Sequence, residues 1–394
     1  MDDVLITGLG VISCLGSGLN AFWDGMNRAV SAPRKVADPH AHMDIPHMYA
    51  VPDADVPAPV EALDGQPLGV ASRFALDVTR QAMADAGLVD HDPWRTAVVI
   101  GTGMGDAGLH EQWRTDGHPE HDRWNATFSV ASAVGELVGA AGPNTSVSNA
   151  CAASGFAVSL AADLIRSGEA DVVIAGGAEA YSRVALGCFN RLGAVDPDTC
   201  RPFDAKRAGT VFGEGAAALV LESAAHARRR SAATVYARLA GAGWSCDAHH
   251  TTAIEPEGVQ ITRAMRHALA EAGIGPAELG CVVPHGTGTL INDTVESRAL
   301  AGLLGTAALE RPLYSLKSLI GHTGGAAGAL AALSAALIVR NGTVPPNVPR
   351  TDPDPECRVS LPEEATALAG SAVMVNAYAF GGNNVSLVMQ EAAA

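Results

Sequence analysis

The stretch Ser146-Val147-Ser148-Asn149-Ala150-Cys151-Ala152-Ala153-Ser154-Gly155 decides how the rest of the chain is read. A strand-like lead-in, Thr145 to Ser148, runs into a single cysteine. Small residues follow at once. Phe156, Leu160, Ala161, Leu164 and Ile165 then recur at helical spacing, and Gly168 closes the run just past Arg166. The pattern predicts strand, sharp turn and helix, with Cys151 at the turn. Unpaired N–H groups and the positive end of a helix dipole favour a thiolate at such a place. Small neighbours let a carbonyl approach the sulfur. A buried cysteine acting as a small hydrophobe gives the same local pattern. On this stretch alone the two readings weigh equally.

Upstream, Val4 to Val11 reads as a buried strand ending in a glycine turn. Residues 36 to 68 carry Pro, Asp and His without periodicity and read as loop. Ser72 to Ala86 has helical spacing and stops at Gly87, and Ala97 to Ile100 is a second buried strand. Residues 112 to 126 are polar and loop-like. Downstream come strand 172 to 177, a polar loop 196 to 207, and strand 217 to 221. Strand 234 to 240, helix 257 to 272, strand 281 to 283, helix 293 to 304 and strand 313 to 316 follow. A long Ala-rich helix from about 323 to 340 and strands 372 to 376 and 385 to 389 finish the chain. Alternating strands and helices with apolar strands predict an α/β class. Residues 149 to 177 and 317 to 342 echo one another, each placing a reactive type of residue before a small-residue helix. That echo suggests two duplicated halves.

The 394 residues are 48% hydrophobic, so a large core is possible, and the length suits two or three domain-sized units. Aromatics are only 5% against 43 Gly, which predicts a core made by close backbone approach. The net charge of −16 argues against nucleic acid. Arg228-Arg229-Arg230 is the one basic run and reads as a solvated face. Seven scattered cysteines without a CxxC pair suit a reducing, cytoplasmic setting and argue against disulfides and structural zinc. No signal peptide is expected from the acidic N-terminus. The Ala-rich run from Thr323 to Val339 is slightly short for a span and reads as a core helix, so no membrane contact is expected.

Three more polar signals lie in the second half. His285-Gly286-Thr287-Gly288-Thr289 follows a strand, where crevices of α/β sheets open. Lys317-Ser318-Leu319-Ile320-Gly321-His322 follows another, and Phe380-Gly381-Gly382-Asn383-Asn384 turns between the last two. Each has an ordinary structural explanation, since a lone His, Lys or Gly-Gly turn is commonly scaffold. Four such signals on corresponding elements outweigh that explanation. His40, His42, His47, His118 and His121 lie in loop without a matched ligand set, so no metal is expected. The glycine turns 8–10 and 101–105 lack full GxGxxG spacing, which weakens a dinucleotide reading.

Taken in order, these segments resemble the elongating β-ketoacyl-[acyl-carrier-protein] synthases, decarboxylating condensing enzymes of the thiolase superfamily. The resemblance also rests on Gly176-Gly177-Ala178-Glu179, Arg201-Pro202-Phe203-Asp204, Asn292-Asp293 and Glu296, and runs nearly end to end. It implies a thiolase-like fold, two duplicated α/β halves layered α-β-α-β-α, divided here as residues 1–230 and 231–394. It implies that Cys151 forms an acyl-enzyme, and that the N–H groups of Cys151 and Phe380 make the oxyanion hole. His285 and His322 would bind the malonyl thioester carbonyl, Lys317 would balance charge, and Asp293 and Glu296 would support them. Thr287 and Thr289 would bind the pantetheine arm, and Phe380 would be a gate. No free cofactor is implied, because the arm arrives on an acyl carrier protein.

The Cys-His-His set with Lys317 matches the elongating subclass. Ala379 and Asn383 depart from the family's Gly-Phe-Gly-Gly-Thr-Asn turn, Ala208 stands where Asp is common, and segment 106 to 130 looks short. These departures point toward a specialised pathway in fatty-acid or type II polyketide biosynthesis. The partners implied are an acyl carrier protein and a second subunit, in a homodimer or with a cysteine-less homologue. Acyl transfer without decarboxylation is the remaining alternative. Arg73, Arg80, Lys206 and Arg207 are candidates for a basic rim that meets the acidic carrier.

Overall fold

Apolar runs without alternation form strands covered on both faces. In the first half these are β1 (Val4–Ser13), β2 (Thr96–Gly101), β3 (Asn144–Val147), β4 (Val172–Glu179) and β5 (Gly215–Ser223). Every residue of β2, β4 and β5 is buried. The second half supplies β6 (Ala237–Cys246), β7 (Leu279–Val283), β8 (Ala372–Tyr378) and β9 (Asn383–Gln390). The structure is a computed structural model that describes residues 3–60, 65, 67–117 and 126–392. His118, His121 and the rest of 118–125, within the segment read as shortened, lie outside the described residues.

The strand order is β3-β2-β4-β5-β1, then β6-β9-β8-β7. In the first half β3, β2 and β4 run parallel and β5 runs antiparallel to β4 and β1. In the second half β7 and β8 are parallel, and β9 is antiparallel to β8 and β6. Leu313 bridges Val282 on the far side of β7, at the position β3 holds beside β2. The two halves thus repeat one topology, which is the duplication expected from the sequence. They join where β1 pairs with β6, through Leu5 with Arg238 and Ile6 with Ala237.

Six helices complete the layers: α1 (Val70–Ala86), α2 (Phe128–Val138), α3 (Ala153–Arg166), α4 (Val259–Ala272), α5 (Leu290–Leu304) and α6 (Ala327–Asn341). Helices α1 and α2 pack on the outer face of the first sheet, and α4 and α5 on that of the second. Helices α3 and α6 lie between the sheets and touch both. Small residues permit this. A Cβ on Gly328 would sit 2.3 Å from the Gly155 nitrogen, so the two central helices cross backbone to backbone. Residues Gly324–Asn341 are long and apolar enough to cross a membrane, but 83% of that stretch is buried inside the protein.

Three local expectations change. Residues Ala107–Asp116 are helical, where polar residues suggested loop from 112. The polarity there has a tertiary use: the Glu111 carboxylate accepts from Ser182 Oγ, Arg183 N and Val184 N at 2.8–3.0 Å. Residues 313–316 make only the single bridge to Val282, because the chain turns at once into the Lys317–Ile320 helical turn. Arg230 is not a solvated residue of the basic run, since it turns back onto the buried Glu222 carboxylate at 2.5 Å.

Candidate active site

Cys151 lies in a one-turn 3-10 segment, Ala150–Ala152, that feeds directly into α3. Ala150 is left-handed, with φ of +45°. That conformation is costly for a residue with a Cβ, and such strain collects at functional turns. The cysteine is 8% exposed. Burial pushes its thiol up to about 11. The Lys317 ammonium opposes that shift, the Glu179 carboxylate adds to it, and the N–H groups of Cys151 and Phe380 draw the sulfur toward its charged form. Desolvation is thus the largest influence on this thiol, with the Lys317 charge and the two N–H groups favouring the thiolate against it.

The loop after β7 is held by two carboxylates three residues apart on α5, which puts both on one helix face. Glu296 accepts from His285 N at 2.8 Å and Gly286 N at 2.7 Å. Asp293 accepts from Thr287 N, Gly288 N and Phe203 N at 2.8–3.2 Å. Burial raises the pKa of both carboxyls, and these N–H donors counter the rise. Lys317 Nζ donates to His285 O at 2.6 Å and stands 3.5 Å from His285 Nδ1. Lys317 therefore reaches the histidine directly, and the histidine loop links it to Glu296. Burial depresses the Lys317 pKa, and neighbouring acids oppose that.

His322 N donates to Val211 O at 2.8 Å, and its carbonyl accepts from Gly213 N at 3.0 Å, so the first half fixes a second-half histidine. The two imidazole rings stand edge to face, centroids 5.6 Å apart. Burial first, then the Lys317 charge, drives both histidines well below the usual imidazole range, so both are neutral. Phe380 stacks obliquely on Phe189 at 6.0 Å, and Phe189 approaches His322 at 6.1 Å.

Cys151, His285, His322 and Phe380 line one cavity of about 400 Å³, with Thr287 and Thr289 on its wall. The two threonine hydroxyls are 2.8 Å apart. A protonated thiol and two neutral imidazoles share this space, and the buried Lys317 ammonium stands behind His285. Such a set can form a thioester at sulfur and stabilise negative charge that develops on a second carbonyl.

The basic-rim expectation fares unevenly. Arg207 is buried, paired with Asp354 and close to Asp293, so it cannot meet a carrier. Its charge stays inside the protein, 3.8 Å from the Asp293 carboxylate. Arg73 donates to Pro57 O at 2.7 Å and lines a different cavity of about 920 Å³. Arg80 is exposed on α1, which covers the outer face of the first sheet. Lys206 is exposed and lies two residues from Ala208 on the cavity rim.

Sequence reasoning gave no role to Glu179, whose buried carboxylate accepts from Gly103 N, Met104 N and Gly325 N at 2.7–3.0 Å. Burial raises it to about 7. The signal was present, because an acid ends an otherwise apolar strand. Tyr378, also on the cavity wall, left no such mark.

Residues 1–227 match the family model described as Beta-ketoacyl synthase, N-terminal domain, and residues 236–351 match Beta-ketoacyl synthase, C-terminal domain. The chain belongs to the β-ketoacyl synthase family. As a β-ketoacyl synthase it is an acyltransferase with a thiolase-like fold. It is 34% identical to a putative polyketide beta-ketoacyl synthase 1 of Streptomyces halstedii, over 98% of this chain and 97% of the relative. Among solved structures, the ishigamide ketosynthase/chain length factor matches at 35% identity and a TM-score of 0.90, covering 100% of both chains. A type II PKS acyl-carrier protein in complex with its ketosynthase bound to the hexaketide matches at 29% identity and a TM-score of 0.90, again over 100% of both.

Proposed function

We propose that this β-ketoacyl synthase catalyses decarboxylative Claisen condensation between an acyl group on Cys151 and a malonyl group on an acyl carrier protein. The observation that carries the reading is the shared cavity of Cys151, His285, His322 and Phe380 beside the buried Lys317. Cys151 sulfur attacks the carrier-bound acyl thioester; a C–S bond forms to Cys151 and the carrier's C–S bond breaks. The thiol proton passes through a neutral imidazole to the departing carrier thiol. The N–H groups of Cys151 and Phe380 hold the oxyanion.

Malonyl then docks with its thioester oxygen on His285 and His322. Carbon dioxide leaves, its electron pair enters the thioester as an enolate, and the imidazole donors stabilise the charge where it forms. The carbanion attacks the Cys151 acyl carbon, the bond to sulfur breaks, and the sulfur takes a proton from solvent through the same imidazoles. Lys317 holds His285 in place and adds to the burial that keeps both imidazoles neutral. Asp293 and Glu296 hold the histidine loop, Thr287 and Thr289 bind the pantetheine arm, and Phe380 gates the cavity.

The carrier, acidic in this family, brings the prosthetic arm, so the reaction needs no separate cofactor. The pairing partner is a second copy or a chain-length homologue; the likeness to a ketosynthase/chain length factor supports the latter. Departures at Ala379 and Asn383 support a specialised polyketide or fatty-acid pathway. The division into halves 1–230 and 231–394 is supported by the repeated strand order and the two family matches. Seven free cysteines suit a cytoplasmic setting.

Cys151→Ala is expected to abolish the covalent acyl adduct seen by intact mass, while His322→Ala keeps the adduct and loses carbon dioxide release from labelled malonyl carrier. An undiminished adduct on the Cys151→Ala protein would refute the assignment.

A further inference from the structure

The cavity wall contains a polar atom that the chemistry above does not use. Tyr378 is the last residue of β8 and is 3% exposed. It lines the Cys151 cavity, with its ring centroid 5.4 Å from that of His285. Its hydroxyl is buried and has no hydrogen-bond partner among the described residues. Leaving such a group unpaired is costly, and a native fold that keeps one calls for an explanation. Tyr314 Oη also lacks a partner, but it sits inside the central core and not on the cavity. Burial, with the Glu296 and Asp247 carboxylates adding to it, holds the Tyr378 phenol well above its ordinary range. It is therefore an O–H donor at any working pH.

The donors so far assigned are already committed. Two imidazoles meet the malonyl thioester oxygen, and the N–H groups of Cys151 and Phe380 meet the acyl oxyanion. A malonyl group also carries a carboxylate, an acceptor that a simple acyl chain lacks. We propose that the Tyr378 hydroxyl is the missing partner of that carboxylate, and so a specificity residue that distinguishes the malonyl extender from the acyl starter. This inference rests on the functional reading above. The hydroxyl donates to one carboxylate oxygen while the malonyl unit is seated against His285, and the bond is given up when carbon dioxide departs. An interaction made with the ground state and lost on the way to the transition state shows in KM more than in kcat.

The test is Tyr378→Phe in the full-length protein with its pairing partner present, which removes one oxygen and keeps the ring. Acyl loading of Cys151, read by intact mass, is expected to be unchanged. KM for malonyl carrier is expected to rise about tenfold, the loss of one charge-assisted hydrogen bond, with kcat equal or higher. Because the free protein loses an unpaired buried polar atom, its melting temperature is expected to stay level or rise by about 1–3 °C. Tyr378→Met, a second replacement without a donor, must give the same split. Unchanged KM would overturn the proposal, as would a fall in kcat at constant KM, an equal loss of acyl loading, or a lowered melting temperature. Should the unaltered protein neither load an acyl group nor release carbon dioxide, the functional reading itself fails, which is a different result.

Discussion

Cys151 stands between opposing charges. The Lys317 ammonium favours its thiolate and the Glu179 carboxylate disfavours it, while burial sets the level near 11. The signs give a paired prediction. Lys317→Met removes the cation at similar bulk, so the thiol pKa rises; Glu179→Gln removes the anion, so it falls. Iodoacetamide reacts with the thiolate, so well below the pKa its rate follows the small fraction of sulfur that is ionised. At pH 8, alkylation of Cys151 is therefore expected to slow several-fold in Lys317→Met and to quicken in Glu179→Gln, with peptide mass spectrometry as the readout. Equal slowing in both would mean that the two residues act on packing and not on charge. Single residues of this kind were only half readable in the sequence. Cys151, His285 and His322 follow strand ends, where function is expected, but nothing in the letters gives the sign of a shift that burial controls.

At the level of elements, the central helices depend on Gly155 and Gly328. A Cβ at Gly328 would meet the Gly155 nitrogen at 2.3 Å, and backbone cannot yield as a flexible side chain does. Gly328→Ala is expected to destabilise by about 1–3 kcal/mol, in the range of core overpacking, with acylation rates falling because α3 begins at the cysteine turn. Gly302 in α5 is the matched control. Its Cβ would meet nothing within 4 Å, so Gly302→Ala is expected to stabilise by about 0.5–1 kcal/mol. Thermal unfolding of the two variants checks both. The strands and helices were readable for the same physical reason that they pack: apolar runs mark strands covered on both faces, and small residues mark backbone contact. Elements whose polarity is used in tertiary caps were not. Polar residues from 112 looked like loop although they end the Ala107–Asp116 helix, and residues 313 to 316 looked like a strand although Leu313 makes a single bridge.

For the whole molecule, the repeated topology explains why a site built from distant letters is one site. The candidate residues come from both halves, and the sulfur of the first lines one cavity with the imidazoles of the second, near the starts of α3 and α6. Sequence order alone suggested this through the echo of residues 149–177 in 317–342. It could not show which charges remain on the surface. Arg207 is consumed internally by Asp354, and Arg73 belongs to another cavity, so Lys206 is the one cation of the four expected that is both exposed and near the rim. The rim itself is apolar, with Leu192, Leu290 and Ile291 each about half exposed or more. A net charge of −16 then acts on an acidic carrier, against a few exposed cations near the rim, Lys206 and Arg191 beside Leu192 among them. Long-range repulsion between like-charged partners slows their encounter, and salt screens it over a Debye length of about 8–10 Å near physiological strength. Association of carrier with the purified chain is therefore expected to quicken, by about 2–10-fold, as salt rises from about 20 mM to about 200 mM, the reverse of electrostatic steering. Stopped-flow association rates give the sign directly. A rate that falls with salt would mean that a basic surface guides the carrier after all, and repeating the measurement with the pairing subunit added would show whether that surface lies on this chain or on its partner.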